Sequence, residues 1–140
     1  MLKVLIADDQ PSILQLLETN LGLEGYETRT AGNGREALEV IKEFHPDVVL
    51  LDVMMPVMDG WDVLRYVTQA QLDVRVILIT AKVHEDDRLM GWELGCDDYI
   101  TKPFDLDELL GRIADVAASD IDTAAARRSA ALRELSALNR

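Results

Sequence analysis

A single cysteine, Cys96, rules out an internal disulfide and fits a reducing, cytoplasmic setting. No apolar run is long enough to cross a bilayer. Met1 to Ala7 is apolar but breaks at once into Asp8-Asp9, which excludes both a transmembrane helix and a secretory signal there. Positive charge is scarce: 14 Lys and Arg stand against 26 Asp and Glu, for a net charge of -12. Such a chain is expected to bind neither nucleic acid nor an anionic membrane, and to attract cations or basic partners. Internal repeats and low-complexity runs are also lacking. With only 4 prolines, 140 residues and 49% hydrophobic composition, the chain suits one substantial core and is too short for two ordinary domains.

What is present is an alternation of strand and helix signals. Leu2 to Ala7 reads as a strand ending in Asp8-Asp9, and Pro11 opens a helix with Ile13, Leu16, Leu17 and Leu21 inward until Gly22 and Gly25. Tyr26 to Ala31 is a short, charged, edge-like strand, and Asn33 caps a helix running to about Phe44. Val48 to Leu51 is a strand buried on both faces. Asp59 then caps a third helix carrying Val63, Leu64 and Val67, and Arg75 to Ile79 is a buried strand ending in Thr80. A helix over about 84 to 94 stops at Gly95, Asp97 to Thr101 is the fifth strand, and a helix runs from about Asp105 to Ala118. Strands separated by helices on short connections predict an α/β fold: a doubly wound, five-stranded parallel sheet covered on both faces.

The stretch from Pro46 to Gly60 organises the rest. Its buried strand stops at Asp52 and is followed by a Pro/Gly-punctuated loop, so Asp52 is either a turn or capping acid or a group placed at a strand's carboxyl end, where ligands bind. In one parallel sheet Asp8, Asp9, Asp52, Thr80 and Lys102 share a rim. Three carboxylates there repel one another unless a cation sits among them, and an all-oxygen set favours magnesium. Lys102 adds an ammonium and Thr80 a hydroxyl, a combination suited to phosphoryl transfer with Asp52 as the nucleophile.

These residues resemble the receiver domains of two-component response regulators. The resemblance is carried by Asp8-Asp9, by Asp52 in Leu-Leu-Asp-Val-Met-Met-Pro, by Asp59-Gly60, Thr80-Ala81, Gly95-Cys96-Asp97-Asp98-Tyr99 and Lys102-Pro103-Phe104. It implies a flavodoxin-like (βα)5 fold with strand order 2-1-3-4-5 over residues 1–118, followed by a C-terminal helical tail or linker over 119–140. Asp52 would be the phosphoacceptor. Asp9 would ligate magnesium directly, Asp8 through water, and Met54 through its carbonyl. Lys102 would pair with phosphoryl oxygens after a cis Lys102-Pro103 bond. Thr80 and Tyr99 would be the switch pair, and the phosphoryl group would come from a histidine kinase or a phosphotransfer protein. The chain would act on no substrate but itself, catalysing only its own phosphorylation and dephosphorylation.

The resemblance also frames the surface. Met54 and Lys82 would flank the route of a hydrolytic water, predicting slow self-dephosphorylation, with gap-filling as the plainer role for Met54. Leu14 is expected to face outward toward a kinase. The fourth helix, fifth strand and fifth helix would form the output face, on which Arg88 with Glu108 and Asp98 with Arg112 match two cross-subunit pairs of a homodimer; the basic residue expected near Ser119 is missing. Trp61 and Trp92 read as core.

Residues 119–140 carry Arg127, Arg128, Arg133 and Arg140 against Asp120, Asp122 and Glu134, a net of +1 that leaves -13 for residues 1–118. The Ala-rich run from Thr123 to Leu138 has a thin stripe of Leu132, Leu135 and Leu138. A frayed tail, a free helix, a coiled-coil seed, a helix folded back on the receiver and a linker to an output domain, as in a DNA-binding regulator, all fit. Two rival functions fit less well. A phosphatase with an aspartyl nucleophile usually has a second Asp two residues on, where Met54 stands, and a flavin site would need a phosphate loop where Asp8-Asp9-Gln10-Pro11 would repel one. A receiver-like module that is never phosphorylated would leave the five rim residues without a purpose.

Overall fold

The computed structural model describes residues 1–138; the last two positions of the expected tail lie outside the described residues. The elements alternate as β1 (Lys3–Ala7), α1 (Pro11–Leu23), β2 (Glu27–Ala31), α2 (Gly34–Phe44), β3 (Val48–Leu51) and α3 (Gly60–Gln69). They continue as β4 (Arg75–Thr80), α4 (Glu85–Leu94), β5 (Asp98–Thr101), α5 (Leu106–Ala118) and α6 (Ile121–Leu138). All sheet pairings are parallel and the order is β2-β1-β3-β4-β5. The charged β2 is indeed an edge. Chain ladders extend one residue past two strands, with the Asp8 amide donating to Ala31 and the Asp52 amide to Ala7, which carries both acids to the rim.

The period of two in the strands splits the core into two layers. Leu5, Ala7, Val49, Leu51, Val76 and Leu78 face α2, α3 and α4, where Trp61 and Trp92 are buried. Val4, Ile6, Val48, Leu50, Ile77 and Ile79 face α1 and α5, meeting Leu17, Leu21, Leu109, Ile113 and Val116. Because both faces of β3 are covered, all its residues are apolar, and the sheet has no wet side to reward alternation.

Helix starts follow capping chemistry. Asn33, Asp59, Asp105 and Asp120 each accept a backbone N–H from three residues on, at 2.9, 3.0, 3.0 and 2.7 Å. Gly95 ends α4 in the left-handed region at φ 105°, where a Cβ is strained.

Three expectations are corrected. Leu14, expected to face outward, is half-buried against the α1/α5 layer, whereas Leu16, expected inward, is 43% exposed. The reason is helical phase: Leu14 adjoins Leu21 at one edge of the arc spanned by Ile13, Leu17 and Leu21, and Leu16 lies farther out beyond the other edge. The fifth strand starts one residue later than expected, because buried Asp97 turns its carboxylate onto the Val76 amide, at 2.8 Å, instead of extending the strand.

The tail folds back. Its helix lies against α4, burying Ala124 and Leu135 and packing Ala131 and Leu132 on the core, while Leu138 stays exposed. Arg128 donates to the Gly95 carbonyl at 3.3 Å and stands 3.7 Å from Asp97, which Arg75 also approaches at 3.5 Å. Arg127 donates to the Ser119 hydroxyl at 2.7 Å. Thus Arg128 of α6 meets a carbonyl and an acid between the carboxyl end of α4 and the start of β5.

Candidate functional site: an acidic rim with one lysine

Asp8, Asp9, Asp52, Thr80 and Lys102 all sit at the carboxyl rim, as parallel strands require. One carboxylate oxygen from each of Asp8, Asp9 and Asp52 falls within a 4.8 Å group. Asp8 and Asp52 are buried; Asp9 is exposed at the mouth. An all-oxygen donor set of this size fits a hard divalent cation, and the three formal charges call for one.

Lys102 reaches into this cluster from beyond β5. Its Nζ donates to Asp8 Oδ2 at 2.7 Å, Asp52 Oδ2 at 2.9 Å and Gln10 Oε1 at 3.0 Å. The Lys102 amide donates to the Thr80 carbonyl at 2.8 Å, and the Lys102-Pro103 bond is cis. Burial pushes the Asp8 carboxyl above its ordinary value of 3.8, and the Asp52 charge adds to this against the hydrogen bonds from Lys102 and Gln10. Burial works against the charge on Lys102, but its hydrogen bonds to Asp8 and Asp52 win, and its pKa is raised. The lysine is therefore a held cation.

The loop after β3 is shaped by close backbone approach. Asp52 Oδ1 accepts the Met54 amide at 3.1 Å, and the Gly60 amide donates to Val53 at 2.8 Å. A Cβ on Gly60 would collide with the Asp52 carbonyl, so only glycine lets α3 start this close to the acid. Met54 is 57% exposed and lines the cleft together with Asp9, and Lys82 lines the same opening. That position is not a gap in the core.

Thr80 is fully buried, and its hydroxyl accepts the Lys82 amide at 3.3 Å. Tyr99 has its ring inward, 3% exposed, and donates its hydroxyl to the Lys82 carbonyl at 2.7 Å. Burial pushes the Tyr99 phenol well above its ordinary value, with Asp87 adding to it. On the neighbouring face, Arg112 bonds Asp98 at 3.1 Å and Glu108 at 2.9 Å within the one chain, and the Arg88 guanidinium lies 5.9 Å over the Tyr99 ring. Arg88 and Glu108 thus have other neighbours inside this chain. The reading from sequence missed Gln10. Its signal was a glutamine at a helix start, where Ser, Thr, Asp or Asn is preferred.

Residues 4–114 match the response regulator receiver domain family. Among solved structures, the receiver domain of the Francisella response regulator 1452 is 36% identical, covering 84% of this chain and 97% of its own, at a TM-score of 0.80. The Vibrio cholerae chemotaxis protein CheY4 is 33% identical, covering 83% and 98%, at 0.78. The beryllium fluoride-activated N-terminal receiver domain of Klebsiella pneumoniae RstA is 29% identical, covering 84% and 99%, at 0.79. With the sheet order and the acidic rim already in place, these matches make this chain a member of the response regulator receiver domain family.

Proposed function

We propose that the chain is a phosphoacceptor signalling domain whose Asp52 takes a phosphoryl group from a histidine kinase or phosphotransfer protein. The observation that carries this reading is the Lys102 ammonium bridging Asp8 and Asp52 at 2.7 and 2.9 Å, beside an open Asp9. A carboxylate oxygen of Asp52 forms the new P–O bond. The P–N bond of a phosphohistidine, or the P–O bond of a small acyl phosphate, breaks, and the leaving group keeps its electron pair. Asp8, Asp9 and Asp52, with the Met54 carbonyl, would hold magnesium, which supplies charge neutralisation for the phosphoryl oxygens.

Lys102 faces the same oxygens and stays charged. Thr80 and Tyr99 would be the switch pair, and both already hold the loop after β4 at Lys82, the Thr80 hydroxyl accepting its amide and the Tyr99 hydroxyl donating to its carbonyl. The chain acts on itself and turns over no external substrate, since no second acid follows Asp52 by two residues. Its phosphodonors place it in the cytoplasm. Its output passes through the face of α4, β5 and α5, where a partner or a second copy would meet the exposed Arg88 and would have to draw Arg112 from Asp98 and Glu108, its acceptors within the chain.

Incubation with magnesium and acetyl phosphate, read by intact mass, should add one phosphoryl group to the wild type and none to Asp52→Asn. A wild type that gains no mass sinks the proposal.

A further inference from the structure

We infer that Gln10 is a positioning residue for Lys102, holding the ammonium at the mouth of the site through a bond that is independent of the charge on Asp52. This rests on the phosphoacceptor reading above. An ammonium has three protons to donate, and in this structure all have acceptors: Asp8 Oδ2, Asp52 Oδ2 and Gln10 Oε1. The first two are buried carboxylates. The third is neutral and lies on the open side, where Gln10 lines the cleft with Asp9, Asp52, Met54 and Lys102.

The second observation is a cap that is not made. Gln10 occupies the N-cap of α1, yet its side chain accepts no helix amide, unlike those of Asn33, Asp59, Asp105 and Asp120. A shorter Ser, Thr, Asp or Asn would serve the helix better. The longer side chain instead crosses to Lys102, and the Gln10 amide donates to Asp8 Oδ1 at 2.8 Å. One residue thereby clasps the Asp8–Lys102 pair from two sides. Departures from local preference of this kind concentrate at functional sites.

The chemistry explains why the acceptor is an amide. When Asp52 becomes an acyl phosphate, the carboxylate oxygen that Lys102 holds loses its charge, and the ammonium must pass to a phosphoryl oxygen on a flexible four-carbon stem. A neutral Gln10 oxygen keeps its bond through that change. It also adds no fourth negative charge to compete with the phosphoryl group for the lysine.

The test compares Gln10→Met, of similar length but without an oxygen acceptor, with Gln10→Glu, which keeps one. Phosphorylation by acetyl phosphate with magnesium should slow about three- to tenfold in Gln10→Met, the worth of one hydrogen bond, at a saturating donor concentration. The half-saturating concentration should change less, because the lysine charge remains. The Lys102 ammonium protons, slowed in exchange by three bonds, should be visible by proton–nitrogen spectroscopy in the wild type and Gln10→Glu and lost in Gln10→Met. A wild-type rate in Gln10→Met overturns the inference. So does a slower rate with the Lys102 signal intact, since Gln10 would then act by another route. If the wild type itself takes no phosphoryl group, the phosphoacceptor reading fails and this inference fails with it.

Discussion

The Tyr99 hydroxyl donates to the Lys82 carbonyl at 2.7 Å, tying a buried ring on β5 to the loop that follows Thr80. Tyr99→Phe removes this bond and leaves the carbonyl to water. The expected cost is about 1 kcal/mol in a denaturant midpoint, with faster amide exchange over residues 81–84. Unchanged exchange there would show that the bond does not hold the loop.

Magnesium should stabilise the fold in a pH-dependent way. The raised Asp8 pKa means that the folded chain binds this proton more tightly than the unfolded chain. Its contribution to stability therefore falls as pH rises from 3.8 through the raised value, and the full cost stands above it. A cation among the carboxylates offsets that cost. At a hundredfold excess over Kd, magnesium should add about 2.7 kcal/mol near neutrality. The gain should shrink as acid protonates Asp8, beginning at a higher pH than for an ordinary aspartate. Thermal melts with and without magnesium across the acidic range measure this. A gain that holds constant down to pH 4 would contradict the assignment of Asp8 to the cation site.

Val57 sits in the loop between Asp52 and α3 at φ 71°, 73% exposed, a conformation that a β-branched residue strongly resists. Asparagine tolerates it. Val57→Asn should raise stability by about 1 kcal/mol without touching the core. A chemical denaturation curve showing no gain, or a loss, argues against stored strain at this loop.

The C-terminal helix is held mainly on α4, by Leu135 and by Arg128 against Gly95 and Asp97. Truncating Leu135 to Ala removes a buried side chain, a change worth roughly 2–5 kcal/mol in a rigid core. Here the loss is capped by the free energy of docking α6. Leu135→Ala and Arg128→Ala should each raise amide exchange over residues 121–138 many-fold while the sheet keeps its protection. Equal deprotection of β1 and β3 would mean that α6 is part of the global core.

The sheet was legible because its signals are local. Val48 to Leu51 is apolar on both faces, and Asn33, Asp59 and Asp105 announce helix starts by capping chemistry alone. The rim followed from topology: once the strands are parallel, Asp8, Asp52, Thr80 and Lys102 have nowhere else to be. Helical phase was less secure, since α1 carries more leucines than its buried arc needs, and only packing against β1 and α5 selects Leu14 over Leu16.

The chain's own order of residues determined its strand and helix alternation, its carboxylate rim and the identity of the candidate phosphoacceptor, because each depends on near neighbours or on the parallel sheet they imply. Tertiary structure alone decided the third acceptor of Lys102, which comes from a residue 92 positions away, and the docking of α6, which rests on Arg128 meeting Gly95 and Asp97. Contacts of that kind depend on distances between side chains that no local pattern encodes. A stripe of leucines marks an apolar face, but only a formed surface of matching charge and shape specifies what covers it.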